Sequence, residues 1–127
     1  MKNSKRLITL ALAVILVVSL IAIPVSAANT KSSFSLRNGA ERTHSLVTCS
    51  GLFGSTSKIK ITNNSSLAYL ELWFPGTGNV IIRPNYSRTF NLYTPGRECL
   101  TRYFFVTADG DLKYTVECSN VSSHGWW

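Results

Sequence analysis

Seven short runs of alternating apolar and polar residues, each ended by Gly, Pro, Asn, Asp or Ser, fill most of the chain beyond residue 42. They span 43–49, 57–62, 67–74, 80–83, 87–93, 100–108 and 112–118. Turn signals recurring at roughly 8–12 residues with a period of two are the pattern of a β-sandwich or small barrel. No run sustains a helical period. The breaks have physical causes. Asn63-Asn64-Ser65-Ser66 tolerates left-handed backbone and caps itself. Pro75-Gly76-Thr77-Gly78, Arg83-Pro84-Asn85 and Thr94-Pro95-Gly96 remove ladder donors and admit positive φ.

With 127 residues the chain has room for one domain. An aromatic content of 11% excludes a disordered tail as a description of the whole. Lys2, Lys5 and Arg6, an apolar stretch 7–23, Pro24 and the small residues Val25-Ser26-Ala27-Ala28 read as a secretory signal peptide over 1–27. The alternative is an uncleaved anchor, at the lower limit of spanning length. A polar lead-in over 28–42, a sandwich domain over 43–118 and a tail over 119–127 follow. Beyond the leader ten basic residues face six acidic ones, a mild excess suited to anionic surfaces. They form no run of the nucleic-acid-binding kind.

Export permits disulfides, and the three cysteines Cys49, Cys99 and Cys118 allow one bridge and one free thiol. If Asp109-Gly110 is a two-residue hairpin turn, Thr101 opposes Cys118, and Cys99 lies on the same face. That register favours Cys99–Cys118, with Cys49–Cys118 next, and leaves Cys49 free to crosslink two chains. Only His44 and His124 could join cysteines at a metal, and the spacings match no zinc pattern. No metal or cofactor is expected.

Alternation assigns faces. Ile59 and Ile61 point inward, as do Ala68, Leu70, Leu72 and Phe74, then Phe90 and Leu92, then Leu112, Tyr114, Val116 and Cys118. The run 100–108 is apolar on both faces, as expected of a central strand, and the half-polar run 112–118 reads as an edge. The succession Ile-x-Ile, Asn-Asn-Ser-Ser, an apolar strand, Ile-x-Pro-Asn-x-Ser-x-Thr-Phe, a strand, Asp-Gly and a strand resembles the small immunoglobulin-like modules of secreted bacterial proteins. The resemblance covers about Lys58 to Cys118. It implies an all-β, immunoglobulin-like antiparallel sandwich of about seven strands and no activity.

Tyr69, Glu71 and Trp73 occupy successive outward positions of one strand, a layout that stacks a sugar ring while a carboxylate accepts its hydroxyl protons. The competing reading is that a second layer covers the rings. Trp126 and Trp127 end a tail too apolar to lie alone in water. They are expected to fold back over the Tyr69/Trp73 face, with docking on a partner or at a lipid headgroup layer as alternatives. Leu52-Phe53, bracketed by Gly51 and Gly54, is expected to plug one end of the sandwich. The chain contains no nucleophile elbow and no phosphate-binding glycine loop.

These features lead to a secreted, non-enzymatic binding module for a glycan, a cell-wall polymer or an extracellular protein, through Tyr69, Glu71, Trp73, Trp126 and Trp127. A cationic, toxin-like antagonist acting at membranes is the alternative. An inhibitor of secreted hydrolases, using loop 75–79 or 95–98, is a third.

Overall fold

A computed structural model describes residues 28–127, and the leader predicted over 1–27 lies outside the described residues. Nine strands follow in order: β1 (Ala28–Leu36), β2 (Glu41–Cys49), β3 (Ser55–Asn63), β4 (Leu70–Phe74), β5 (Gly78–Ile82), β6 (Ser87–Thr94), β7 (Cys99–Ala108), β8 (Leu112–Val121) and β9 (Ser123–Trp126). They form a four-stranded sheet, β1-β8-β3-β6, against a five-stranded sheet, β5-β4-β7-β2-β9. Every pairing is antiparallel.

The expected alternation builds the core. Ile59, Ile61, Leu70, Leu72, Phe104, Val106, Tyr114 and Val116 are sealed between the sheets, and Phe74 stacks on Phe90 at 4.1 Å. Asn63, fully buried, gives its side-chain amide to the carbonyls of Ala68 and Ile82 and accepts from the Ser65 amide. The predicted Asn-Ser turn is thus tied to the end of β5. Between β4 and β5, Thr77 N–H bonds the Phe74 carbonyl at 3.1 Å, with Pro75 and Gly76 (φ 79°) at the central positions. That is a type II turn, which needs the glycine.

Strand order corrects the immunoglobulin-like expectation. There, the first two strands lie side by side; here β1 pairs with β8, and β2 belongs to the other sheet. The order is that of a jelly roll, with β9 added at one edge. The polar lead-in and the tail are both strands, which raises the count from about seven to nine. Serine-rich β1 and the short β9 carry too few apolar residues to show a period of their own.

Asp109-Gly110 is a corner between sheets, not a hairpin. Asp109 stays bonded to Tyr69, its carboxylate accepting from the Tyr69 amide at 2.7 Å, while the Asp111 carboxylate accepts from the Asn38 amide at 2.8 Å. The carboxylates therefore anchor the corner to a loop on either side, and β8 crosses over to lie between β1 and β3, a central strand and no edge. With the hairpin goes the Cys99–Cys118 pairing. Cys49 and Cys99 are directly opposed on β2 and β7, their Cα atoms 4.0 Å apart, and are joined by the disulfide. Cys118 points into the core as a free, buried thiol. Cys49 is accordingly not available to link two chains.

Candidate functional site

The outer face of the five-stranded sheet is aromatic and, among the described residues, uncovered. Because Leu70, Leu72 and Phe74 turn inward, Glu71 and Trp73 turn outward. On β7 the inward set Phe104, Val106 and Ala108 likewise leaves Tyr103 and Phe105 outside. Register aligns the strands. Trp73 sits between Asn79 and Phe105, Phe105 opposes Thr43, and Thr43 exchanges backbone bonds with Trp127. The Trp73 and Phe105 rings are 5.7 Å apart, and Tyr103 meets Trp127 edge-on at 6.1 Å. Trp73, Tyr103, Phe105 and Trp127 all remain exposed, Trp127 at 68%.

A groove of about 630 Å³ borders this platform, lined by Tyr69, Glu71, Ile81, Arg83, Thr107 and Asp109. It sets an aromatic ring among two carboxylates and a guanidinium. Glu71 lies directly between Ile81 and Thr107 in the ladder. Among the described residues no second layer covers Tyr69, Glu71 or Trp73.

The two terminal tryptophans part company. Trp127 joins the platform edge. Trp126 pairs with His44, the inward parity, and packs against the Phe34 ring of the opposite sheet at 5.0 Å. The tail therefore lies beside the Tyr69/Trp73 face rather than over it, and Trp126 staples the sheets at their margin. Leu52 and Phe53 do not plug the sandwich; Phe53 is 90% exposed. Their loop is held against the 95–97 turn, with Arg97 N–H bonded to the Gly51 carbonyl at 2.8 Å. At Gly54 (φ +81°) a Cβ would strike the Tyr93 hydroxyl, so the pair is presented outward on a fixed base.

Sequence reasoning missed Tyr103, Phe105, Ile81, Arg83 and Asp109. Tyr103 and Phe105 share a parity opposite to Phe104 and Val106. The apolar second face of run 100–108 is thus a surface, not a buried layer. Also unforeseen is a polar network under β9. His44 Nδ1 meets His124 Nε2 at 2.8 Å, His44 Nε2 meets the Tyr114 hydroxyl at 2.6 Å, and the His44 ring stacks on Phe104 at 4.5 Å. Burial, with His124 and then Arg42 adding like charge, lowers the His44 pKa to about 3. Burial also lowers His124, and it raises Tyr114 to about 12 against the opposing pull of Arg42. His44 and Tyr114 are fully buried and His124 is partly exposed, so the network ties β9 and Trp127 to the core from its margin. Among the described residues no group of three or more His, Cys, Asp or Glu is arranged to hold a metal ion.

No family model matches the chain, and no curated protein does. Among solved structures, a protein with a double-stranded β-helix domain from Klebsiella pneumoniae subsp. pneumoniae is 10% identical, with 80% of this chain and 70% of that one covered and a TM-score of 0.49. A de novo designed double-stranded β-helix is 12% identical over 71% of this chain and 99% of its own, at a TM-score of 0.48. The pre-peptidase C-terminal domain of collagenase from Bacillus anthracis is 18% identical over 72% and 89%, at a TM-score of 0.45.

Proposed function

We propose that the protein is a secreted, non-enzymatic module that holds a glycan on the outer face of its five-stranded sheet. One observation carries this reading: Trp73, Phe105, Tyr103 and Trp127 lie exposed on one face, beside a groove that offers Glu71, Asp109 and Arg83. The C–H face of a pyranose stacks on such rings. Carboxylate and guanidinium groups make charge-assisted hydrogen bonds with its hydroxyls. An apolar ligand would leave those charges unpaired, and a highly charged one would leave the rings unused. The leader predicted over 1–27 supports export, and the Cys49–Cys99 disulfide suits an oxidising compartment.

The test is retention on a panel of immobilised wall and matrix polysaccharides, comparing the protein with Trp73→Ala. Losing one stacking ring should weaken retention at least about tenfold, a change of about 1.4 kcal/mol, while the thermal midpoint stays close to that of the parent. Equal retention of both proteins on every polysaccharide overturns the site.

Exposed Leu52 and Phe53 favour a second reading, a cationic antagonist that inserts this tip into a bilayer. Dye release from phosphatidylglycerol vesicles that is abolished by Phe53→Ser would establish it. Absence of release at micromolar protein would dismiss it.

A further inference from the structure

The outer face of the four-stranded sheet differs in kind from the aromatic one. Alternation and register place Lys31, Glu117, Lys60 and Thr89 in one row across all four strands, Ser119, Lys58 and Asn91 in the next, and Ser35 with Lys113 beyond. The four lysines are exposed, and among the described strand residues of this face the one carboxylate is half-buried Glu117, with Asp111 and Arg37 flanking Lys113 at its end. Glu117 lies 3.5 Å from Lys31 and 3.9 Å from Lys60. Among the described residues Lys58 and Lys113 have no carboxylate within salt-bridge distance. Asn29, Thr30, Lys31, Lys58, Lys60 and Thr89 contribute to the walls of a shallow groove of about 530 Å³. Most of the excess positive charge beyond the leader is therefore gathered on one face, opposite the Glu71 and Asp109 groove.

The composition of this face selects its ligand. Among the described residues the cations at its outward strand positions are lysines, mobile point charges that impose no fork geometry, and these suit repeated anions better than a single planar carboxylate. Around them stand Ser, Thr and Asn. Tyr93 at the margin is the sole aromatic on this face among the described residues, so no rings are present to stack bases or to enter a headgroup layer. Strands lie about 4.8 Å apart, and alternate residues along a strand are about 6.7 Å apart. Lys31, Lys58 and Lys60 consequently form a triangle that a single extended chain of anions can follow along the groove.

We propose that this face is a second binding surface, which takes a linear phosphate polymer by charge complementarity, independently of the aromatic platform. The probe is inorganic polyphosphate immobilised on beads, with retention of the intact protein measured as a function of salt. Replacing Lys31, Lys58 and Lys60 together by Gln should lower retention at least tenfold and flatten the slope of log affinity against log salt by about 2. The opposite change, Glu117→Gln, releases Lys31 and Lys60 and should raise retention several-fold, a gain that a misfolded variant does not show. Trp73→Ala should leave polyphosphate retention unaltered.

Unchanged retention in both the lysine and the glutamate variants overturns the proposal. Sedimentation with phosphatidylglycerol vesicles that exceeds polyphosphate binding at equal phosphate also overturns it, in favour of a membrane surface.

Discussion

At the scale of single residues, His44 and His124 have the most exacting environment in the molecule. They lie 80 positions apart and share a direct nitrogen contact beneath β9. Nothing in the local sequence marks either one. His44 occupies an ordinary inward position of β2, and only the docking of the tail puts a second imidazole beside it. The groups facing the pair are Arg42 and Tyr114, so a proton on His44 meets burial, one cation and a phenol. The consequence for stability has a definite sign. His44 is neutral in the folded protein down to about pH 3, whereas the unfolded chain takes up a proton near its ordinary value of 6.5. Its contribution is therefore complete above pH 6.5 and is lost progressively as the pH falls toward 3. About 2 kcal/mol should be gone by pH 5, and His124 pulls in the same direction. Urea midpoints at pH 7.5 and 5.0 should show this loss, and His44→Leu should flatten it; an equal loss in the variant would assign the effect elsewhere. At the alkaline end Tyr114, raised from 10.0 to about 12 by burial, should remove stability as the pH climbs between those values. The Trp73 side chain, by contrast, was legible, because its exposure follows from the parity of Leu70, Leu72 and Phe74 alone.

Elements were legible where a turn has its own chemistry and obscure where the partner strand is remote. Asn63-Asn64-Ser65-Ser66 and Pro75-Gly76 stand where the residues place them, since each closes on neighbours within a few positions. Asp109-Gly110 has the composition of a hairpin, yet its carboxylate is spent on the Tyr69 amide, and β8 departs to the other sheet. Parity along β7 and β8 survives that error, but the cysteine pairing does not, because it depends on which strands are neighbours. The Cys49–Cys99 bridge closes a separation of 50 residues, which by loop entropy is worth about 4 kcal/mol. Cys49→Ser should lower stability by about that amount, read from denaturant midpoints. Alkylation of the parent protein should label no cysteine while folded and one in urea; labelling of all three would contradict the bridge. Strand β9 makes a separate prediction. Among the described residues it pairs with β2 alone, covers its edge, and brings Trp126 onto Phe34. Ending the chain after Ser122 removes that packing and exposes a ladder edge. The expected result is a loss of about 2 kcal/mol together with weaker glycan retention as Trp127 leaves the platform. Retention and midpoint both unchanged would show β9 to be dispensable.

For the whole molecule, a jelly roll buries one face of each sheet and leaves two outer faces free to differ, and here they differ in both chemistry and charge. One carries Trp73, Tyr103, Phe105 and Trp127 beside two carboxylates and an arginine; the other carries four lysines and a glutamate. Sequence shows each outward residue but not which sheet it belongs to, so neither the platform nor the lysine face is visible until β7 joins β4 and β8 joins β3. The separation of the faces has a thermodynamic consequence. Facing sheets stand about 10 Å apart, and at physiological salt charges are screened over about 8 Å. A polymer neutralising Lys31, Lys58 and Lys60 should therefore be felt only faintly at Trp73. The affinity for a retained polysaccharide should change less than twofold when polyphosphate is saturating, and the protein should carry soluble polysaccharide onto polyphosphate beads. Either Trp73→Ala or the triple lysine variant should abolish that bridging while each keeps its other ligand. A shift of fivefold or more in the first measurement would mean that the core transmits strain between the sheets. Bridging that survives both variants would place the two ligands on surfaces other than these.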